Sequence, residues 1–413
     1  MPGCRFCGAR LWHTFADLGM SPLSNSFLRP HQLNQMEPFY PLCVRVCAKC
    51  FLVQLEEFER PEKIFGDYAY FSSYSESWLR HARDYCNDMA DRLRLSADSL
   101  VVEVASNDGY LLQYFQKRGI PVLGIEPART VALAAREKGI PTLEKFFGIQ
   151  TARELSADGQ QADLIVANNV LAHVPNLRDF VAGLKLALKP HGVITLEFPH
   201  LLRLIEGNQF DTIYHEHFSY FSFLTVEEIL RQHGLAVSDV EILPTHGGSL
   251  RVFAGHAESS ASPPARTRTA RISQLRQQEL AAGIRHLDTY SGFAERVREG
   301  KRSLLELLAS IKRSGKSLVA YGAPAKGNTL LNYCGIGRDF LDYTVDLSPH
   351  KQSRFLPGTH LPIYHPDRIR ETRPDYVLVL PWNLREEIVA QIGYIREWGG
   401  RFVVPIPKAE VVA

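Results

Sequence analysis

Two Cys-x-x-Cys doublets near the amino terminus constrain the fold of this chain more than any other feature. The first doublet is Cys4 and Cys7, and the second is Cys47 and Cys50. Two such knuckles can close a tetrahedral shell of four thiolates around zinc, and a filled shell leaves no coordination position for catalysis. A redox-active doublet is the alternative, but two paired doublets favour a metal. The sequence therefore predicts an N-terminal zinc-binding domain with a structural ion.

Length and composition indicate a globular protein of several domains. The chain has 413 residues, of which 45% are apolar and 22% are charged, and this length suggests roughly two to three domains. Its net charge of +2 argues against broad nucleic-acid binding, which needs a concentrated basic face. The sequence shows neither a run of about 18 apolar residues nor a signal-peptide pattern. With four of seven cysteines in metal-type doublets, we expect a cytoplasmic protein that binds neither nucleic acid nor membranes.

A strand–turn–helix–strand pattern begins at residue 100. Residues 100–105 are predicted to form a buried parallel strand, followed by a turn at 106–109 and a helix. A second strand at 121–125 ends in Glu126. Such a unit holds polar ligand groups at the helix amino terminus and bonds ribose hydroxyls through the acid. Only Gly109 stands where dinucleotide sites carry three spaced glycines, which favours S-adenosylmethionine over NAD; a unit without a ligand is the alternative.

Candidate donor-binding residues surround this unit. Glu126 is expected to bond the ribose, and the segment 106–109 to lie near the methionyl end. Phe146 or Phe147 is expected to pack on the adenine. The full set of candidates is Glu103, Ala105, Asn107, Asp108, Gly109, Tyr110, Leu111, Glu126, Pro127, Phe146, Phe147 and Asn168.

Polar residues also follow the next predicted strand. The strand at 162–167 leads to Asn168 and Asn169, with His173 close behind, and a further strand spans 192–198. The carboxyl ends of parallel strands border the crevice where α/β sheets bind ligands. If a helix begins near Asn169, then Asn169 and His173 share one helical face. A buried histidine with satisfied hydrogen bonds is the alternative for His173.

The segment 211–220 concentrates more titratable and aromatic chemistry than a surface loop normally does. Its ten residues include two histidines, two carboxylates and two tyrosines. His, Glu and Tyr side chains can hold or move a proton near neutral pH, so the segment is a candidate active site. A structural hydrogen-bond network and a metal-binding pair made of His215 and His217 are the alternatives.

A second Rossmann-like pattern starts at residue 317. A predicted strand at 317–321 leads into a small-residue loop at 322–327, and a helix is expected to open at Asn328. Lys326 and the amides near Gly327 are suited to a diphosphate, because helix amino termini attract anions. The candidate acceptor-binding residues are Lys326, Asn328, Asp346 and Asn383. A domain kept for packing or dimerisation and an NAD site are the alternatives, and the missing glycine triplet argues against NAD.

The connection between the two Rossmann-like regions is expected to be partly irregular. Residues 257–270 form a polar stretch that contains two prolines, and they are predicted to be a surface loop. A helix at roughly 290–314 would bridge the large domains. The predicted domains are the zinc-binding domain at 1–65, the donor-binding domain at 66–256, the linker with bridging helices at 257–315 and the C-terminal domain at 316–413.

Together these motifs resemble one enzyme family. The motifs that carry the resemblance are the two cysteine doublets and residues 103–110, 124–128, 168–170, 214–217, 246–251 and 321–328. Along essentially its whole length the chain resembles the sugar-nucleotide C-methyltransferases of antibiotic deoxysugar pathways. It is most similar to those that methylate C-3 of thymidine-diphosphate (dTDP) 4-keto sugars. The resemblance implies an α/β fold with an N-terminal zinc-binding domain, a central Rossmann-like class I methyltransferase domain and a C-terminal Rossmann-like domain that binds the sugar nucleotide.

The resemblance also implies a mechanism. His217 is expected to be the base that removes the C-3 proton, which the neighbouring ketone acidifies, so that an enolate attacks the methyl group of S-adenosylmethionine. Tyr214 would donate a hydrogen bond to the carbonyl oxygen, where charge builds. Asn169 and His173 would line the sugar pocket, and Glu216 would either orient His217 or bond the sugar. The substrate is then a small-molecule nucleotide sugar, and no catalytic metal is required.

Three other functions use the same residues. The first is O-methylation of a sugar hydroxyl, which needs a base but no enolate. The second is nucleotide-sugar binding without catalysis, against which the density of titratable groups argues. The third is catalysis by a second metal ion bound to His215 and His217. Methylation at C-5 rather than C-3 also remains open at this point.

Overall fold

The computed structural model describes residues 2–65, 71–259 and 266–412, and its strands form three sheets with flanking helices. The strands are β1 (His13–Ser21), β2 (Tyr40–Val46), β3 (Val53–Leu55), β4 (Val101–Val104), β5 (Val122–Ile125), β6 (Thr142–Leu143), β7 (Ala162–Asn168), β8 (Leu188–Pro199), β9 (Ser219–Tyr220), β10 (Leu235–Leu243), β11 (Ser249–His256), β12 (Leu318–Tyr321), β13 (Thr344–Val345), β14 (Ile363–Tyr364), β15 (Tyr376–Val379), β16 (Arg401–Val404) and β17 (Glu410–Val412). The α-helices are α1 (Pro61–Phe65), α2 (Glu76–Leu93), α3 (Leu112–Lys117), α4 (Arg129–Glu137), α5 (Ile149–Ala157), α6 (Leu177–Ala187), α7 (Leu201–Glu206), α8 (Phe223–Gln232), α9 (Arg266–Ala281), α10 (Asp288–Ser291), α11 (Phe293–Arg313), α12 (Ala325–Cys334), α13 (Arg368–Thr372) and α14 (Arg385–Gln391).

The N-terminal sheet is antiparallel, in the order β1-β2-β3-β9. Its last strand comes from the central region, because Val53 of β3 pairs with Tyr220 of β9. The sheet also packs against the linker helices. The rings of Phe15 in β1 and Phe293 in α11 stack there 4.4 Å apart. The end of the segment 211–220 therefore belongs to the sheet of the zinc-binding domain.

The central sheet has seven strands in the order β10-β11-β8-β7-β4-β5-β6. The strands from β8 to β6 are parallel, and β11 runs antiparallel between β8 and β10. All of β4 and most of β7 are buried, as expected for a parallel sheet with helices on both faces. The strand order reverses between β4 and β7. In such sheets ligands bind beyond the carboxyl ends of the strands at the reversal.

The C-terminal sheet has the order β14-β13-β12-β15-β16-β17 and is parallel except for β17. Its order reverses between β12 and β15, so residues 322–327 follow β12 directly at the predicted crevice. Helix α12 begins at Ala325 rather than at Asn328, and Lys326 lies in its first turn. Residues 325–327 of the expected loop are thus helical, and Gly327 lets the first turn of the helix approach the chain just after β15. A Cβ at Gly327 would lie only 2.9 Å from the Cβ of Leu380.

The chain after β7 also differs from the sequence-based expectation. Asn169 does not begin an α-helix but adopts φ +53°, and a 3₁₀ turn at Leu171–His173 follows it. Asparagine tolerates this left-handed conformation better than most residues, and it turns the chain sharply at the strand end. The helix that would have placed Asn169 and His173 on one face therefore does not form.

The linker contains more helix than expected. The predicted loop at 257–270 is wrong at its end, because α9 begins at Arg266; residues 260–265 of that loop lie outside the described residues. Arg271 donates a hydrogen bond of 2.7 Å to Asp239, which anchors this polar helix to β10.

None of the helices in the described part of the chain combines the length and apolar character that a membrane crossing requires.

Candidate active site

The four predicted zinc ligands come together in the structure. The sulfur atoms of Cys4, Cys7, Cys47 and Cys50 all lie within 4.8 Å of one another. Two of these separations, Cys4 to Cys50 and Cys7 to Cys47, are 3.5 Å. A tetrahedral zinc with bonds of about 2.3 Å places its ligands about 3.8 Å apart, so the cluster has the size that the ion requires. The side-chain amide of Gln54 donates to the sulfur of Cys4 at 3.2 Å, a contact that orients this thiolate.

The zinc knuckle also braces a loop of the central domain. Arg5, which lies within the first doublet, donates a hydrogen bond to the carbonyl of Pro175 at 3.0 Å. Arg178 donates in the opposite direction, to the carbonyl of Phe6 at 2.7 Å. The loop that follows β7 is therefore fixed on the fold that the metal would organise.

A cavity of about 710 Å³ lies at the carboxyl ends of the central strands. A cavity of this size is typical of sites that hold small organic ligands. The predicted site residues that line it are Ala105, Asn107, Tyr110, Glu126, Pro127, Phe146, Phe147, Asn168, Asn169, His173, Tyr214, Glu216, His217, Lys326 and Asn383. The predicted site residues that do not line it are Glu103, Asp108, Gly109, Leu111, Asn328 and Asp346.

The turn after β4 and the acid after β5 form the donor end of the cavity. Ala105 and Asn107 have φ +56° and +50°, which folds the turn tightly over the strand end. The carboxylate of Glu126 accepts hydrogen bonds from the amides of Asn107 at 2.9 Å and Ala128 at 2.8 Å. Burial raises the pKa of Glu126 to about 7. Its carboxylate is thus held in one orientation, and its remaining lone pairs suit the two ribose hydroxyls of S-adenosylmethionine.

Two further features fit the same ligand. Asn168 carries a buried side-chain oxygen without a hydrogen-bond partner among the described residues, which suits a polar donor group. Phe147 packs edge-to-face on Phe180 with the ring centroids 5.5 Å apart, and Phe146 remains 43% exposed at the cavity wall. These rings offer an apolar face for the adenine.

The predicted donor residues that do not line the cavity support the turn from behind. Burial raises the pKa of Glu103 well above its usual value. Asp108 forms an ion pair of 2.9 Å with Lys138. Gly109 has φ +75°, and a Cβ there would lie 2.9 Å from the side chain of Ile140. Their direct contact with a donor stays a prediction.

His217 has one ring nitrogen fixed by the backbone. Its Nδ1 lies 2.8 Å from the carbonyl oxygen of Thr212, and a carbonyl can only accept. Nδ1 therefore carries the proton, and the lone pair of the neutral ring is on Nε2. Burial, together with the nearby His173, lowers the pKa of His217 well below its usual value. The ring is a neutral base at physiological pH.

The other predicted catalytic residues surround this imidazole. The ring centroid of Tyr214 lies 4.0 Å from that of His217, and the ring of His173 lies 4.8 Å away on another side. Burial lowers the pKa of His173 to about 4, so it is neutral as well. Glu216 accepts a hydrogen bond of 2.6 Å from Asn25 of the zinc-binding domain, and both residues line the cavity. Asn169 also lines the cavity, and both polar atoms of its side chain lack hydrogen-bond partners within the described ranges.

His215 lies outside this group. Its Nε2 is 3.2 Å from the carbonyl oxygen of Pro41, and its ring packs edge-on against Tyr40 and Phe58. His215 and His217 therefore have different surroundings and do not form a metal-binding pair. In the described part of the chain, the four cysteines are the only cluster of three or more His, Cys, Asp or Glu side chains arranged to hold a metal.

The acceptor end of the cavity contains a buried lysine. Lys326 donates a hydrogen bond of 2.9 Å to the side-chain oxygen of Asn383, and its ammonium lies 4.8 Å from the ring centroid of Trp382. The indole nitrogen of Trp382 donates to the carboxylate of Asp211 at 2.7 Å. Trp382 and Asp211 were not among the predicted site residues, although Asp211 belongs to the candidate segment 211–220 and Trp382 precedes the predicted residue Asn383.

The two other predicted acceptor residues have structural surroundings. Asp346 accepts hydrogen bonds from the amide of Ala323 at 2.8 Å and from the ammonium of Lys351 at 3.3 Å. Lys351 itself lines the cavity, and no motif in the sequence indicated it. Asn328 is fully buried in α12 with both side-chain polar atoms unpartnered among the described residues. Their contact with an acceptor stays a prediction.

A buried charge network reaches the cavity wall from the central sheet. Glu197 at the end of β8 accepts hydrogen bonds from Arg251 at 2.7 Å and from His81 at 3.0 Å. Its pKa is about 2, because the contacts with His81 and Arg251 outweigh the burial that would raise it. His81 and His246 line the cavity, and the sequence had marked only residues 246–251, without a role. The pairing of β8 with β11 places Arg251 opposite Glu197, and spacing in the sequence does not reveal it.

Three protein-family models match the chain in succession. The first is described as "Putative zinc binding domain" and matches residues 4–65. The second, "Methyltransferase domain", matches residues 78–240, and the third, "C-methyltransferase C-terminal domain", matches residues 244–407.

Individual relatives have the same character. The C-methyltransferase NovU of Streptomyces niveus is 35% identical over 410 residues, which cover 99% of this chain and 96% of the relative. A ubiquinone biosynthesis O-methyltransferase of Histophilus somni is 26% identical over 155 residues, covering 34% of this chain and 60% of the relative. The solved magnesium protoporphyrin IX methyltransferase of Synechocystis shares 15% identity and covers 47% of this chain and 88% of its own, with a TM-score of 0.33. A likeness at that TM-score supports no further conclusion.

Proposed function

The chain belongs to the C-methyltransferase family, and on that premise we propose that it methylates a ring carbon of a nucleotide-linked 4-keto-deoxysugar, at C-3 of a dTDP sugar in particular. The enzyme class predicted from the sequence, an S-adenosylmethionine-dependent C-methyltransferase, is confirmed. The predicted fold class and the two predicted cofactors, S-adenosylmethionine and zinc, are confirmed as well. The sugar, the nucleotide and the position of methylation are our proposal.

The hydrogen bond from His217 to Thr212 carries this proposal. Methyl transfer to carbon requires that the carbon first lose a proton, and a ketone acidifies the carbon beside it. With Nδ1 fixed on Thr212, the Nε2 lone pair of His217 is the available base, in the same cavity as Glu126 at the donor end. A positioned base of this kind contributes about 10²–10⁴-fold to the rate. A fixed tautomer that leaves the lone pair of a cavity-lining ring available suits proton abstraction.

Neighbouring groups would stabilise the negative charge that develops on the carbonyl oxygen of the ketone. Tyr214 lies beside His217 and can donate its phenol proton to the carbonyl oxygen as negative charge builds there. His173 is neutral and completes the wall of the sugar pocket. Glu216, held by Asn25, is suited to accept a hydrogen bond from a sugar hydroxyl.

Methyl transfer needs only these residues, the keto sugar and the methyl donor. When bound, S-adenosylmethionine supplies an electrophilic methyl group. His217 takes the proton from the acidified carbon, and the electron pair released forms the new bond to the methyl carbon as the methyl–sulfur bond breaks. The proton on Nε2 of His217 then passes to solvent, and S-adenosylhomocysteine and the methylated keto sugar leave.

The acceptor's diphosphate is assigned to the C-terminal domain. Lys326 in the first turn of α12 provides a cation beside the amide groups of a helix amino terminus, and Asn383 fixes its ammonium. We also propose a cytoplasmic location, because seven cysteines without a disulfide, four of them assigned to zinc, suit a reducing compartment.

Incubation with S-adenosylmethionine and a panel of nucleotide 4-keto sugars tests the proposal. Mass spectrometry should show the gain of one methyl group, and NMR should place it on the carbon beside the ketone. The matching sugars without the keto group are the control and should not react. A methyl group found only on a hydroxyl oxygen would replace this proposal by O-methylation.

A further inference from the structure

Asp211 is a buried acid that the proposed chemistry does not use. Its side chain is fully buried, and one carboxylate oxygen accepts the hydrogen bond from Trp382. Its other oxygen has no hydrogen-bond partner in the described part of the chain. Burial raises the pKa of Asp211 to about 6. An acid kept in so unfavourable a place is a candidate for a specific role.

Trp382 connects this acid to the acceptor end of the cavity. One face of the indole lies under the ammonium of Lys326, and the ring edge reaches the central domain at Gly247. A Cβ at Gly247 would lie 2.7 Å from the ring carbon Cη2, so only glycine admits the indole there. Burial lowers the pKa of Lys326, whereas the charge of Asp211 opposes that effect. The acid therefore helps to keep Lys326 protonated.

The same acid lies in the turn that holds the base. Asp211 belongs to the 3₁₀ turn Phe210–Thr212, and the carbonyl of Thr212 receives the Nδ1 proton of His217. On the other side of Thr212, the hydroxyl of Thr329 in α12 donates to the carbonyl of Ile213 at 3.0 Å. The C-terminal domain thus forms hydrogen bonds with this turn at two points, one on either side of Thr212.

We infer that Asp211 is a positioning residue that locks the turn orienting His217 to the helix presenting Lys326, with Trp382 as the link. The base and the acceptor-binding cation then share one rigid frame, so a diphosphate held at Lys326 places the reacting carbon in reach of Nε2. A misplacement of about 1 Å can lower the rate of an enzyme about 10²-fold. This inference rests on the proposed function and adds residues from outside the predicted set to it.

Trp382→Phe tests the link directly. It keeps an aromatic ring at this position but removes the N–H that Asp211 accepts, together with the indole edge at Gly247. We expect kcat, and the rate of deuterium exchange at the acidified carbon, to fall about tenfold or more, because a buried acceptor loses its donor. The dissociation constant for S-adenosylmethionine should not change. Trp398→Phe is the matched control, since it removes an indole hydrogen bond of 3.0 Å to Pro374 in the same domain but outside the cavity, and it should retain full activity.

Two further variants separate the hydrogen bonds from the charge. Thr329→Val removes the second hydrogen bond to the turn, which the Thr329 hydroxyl donates to Ile213, and should also lower kcat and the exchange rate. Asp211→Asn keeps an oxygen for the indole but removes the charge that supports Lys326, so it should raise the KM for the acceptor more than it lowers kcat. This division between KM and kcat is not expected of residues that only stabilise the fold.

The tautomer of His217 provides a readout that needs no acceptor. In ¹⁵N NMR spectra of histidine-labelled free protein, wild type should show the proton on Nδ1, and Trp382→Phe should show a mixture of tautomers. Unchanged kcat, exchange and tautomer in both Trp382→Phe and Thr329→Val would overturn the inference. Loss of donor affinity and of zinc in step with kcat would also overturn it, in favour of a purely structural role. If no keto sugar is methylated but the tautomer responds as stated, the proposed function alone fails.

Discussion

Replacing Asn25 with alanine tests whether the zinc-binding domain takes part in catalysis. Asn25 lies outside the central and C-terminal domains, yet it lines the cavity and donates a 2.6 Å hydrogen bond to Glu216. Glu216 is only 3% exposed, so this hydrogen bond is largely shielded from bulk solvent. Removing one hydrogen bond from a buried carboxyl costs about 1–3 kcal/mol. Since about 1.4 kcal/mol corresponds to a factor of ten, we expect kcat/KM for the acceptor to fall about 5- to 150-fold.

The assay is steady-state methyl transfer, with zinc content and donor affinity measured on the same preparations. Asn34→Ala is the matched control, because Asn34 is an exposed asparagine of the same domain, and it should behave like wild type. Asn25→Ala should retain its zinc and its affinity for S-adenosylmethionine. Wild-type kcat/KM in Asn25→Ala would refute the reasoning, and Glu216 would then need no support from the zinc-binding domain.

Three further predictions concern the metal, the donor and the acceptor. Cys4→Ser should lose zinc by elemental analysis and lower the melting temperature, because metal binding is part of the folding free energy, whereas Cys43→Ser outside the cluster should keep its zinc. Glu126→Ala should weaken S-adenosylmethionine binding in calorimetry and leave acceptor binding intact; in wild type, donor affinity should fall as the pH drops below about 7, where the raised pKa lets this carboxylate protonate. Lys326→Ala should raise the KM for the acceptor without changing donor affinity, and a fall in donor affinity alone would mean that the two Rossmann-like domains were assigned the wrong ligands.

The sequence revealed those parts of the site that follow local rules. The cysteine doublets and the acid at the end of β5 depend on short spacings and on the reversal of strand order, so they were predictable. The segment 211–220 stood out by composition alone. Of its two histidines, the structure places His217 in the cavity and His215 against Pro41. This division depends on the fold of the neighbouring domain, which a sequence pattern does not contain.

Contacts between distant parts of the chain could not be predicted. The pair of Asp211 and Trp382 spans 171 residues, and that of Asn25 and Glu216 spans 191. Such pairs form only after whole domains have docked, and a single sequence carries no periodicity or motif for them. The helix start predicted at Asn328 was wrong: α12 begins at Ala325, and its first turn packs closely against the distant residue Leu380 at Gly327.

Deuterium exchange tests the central claim most directly, because it isolates proton abstraction from methyl transfer. A nucleotide 4-keto sugar is incubated with the enzyme in D₂O without methyl donor, and ¹H NMR follows loss of the signal at the carbon beside the ketone. Wild type should exchange that proton. His217→Asn should bind both ligands but neither exchange the proton nor transfer a methyl group, because it lacks the basic Nε2. Exchange by His217→Asn at the wild-type rate would contradict the account and move the role of base to another group in the cavity.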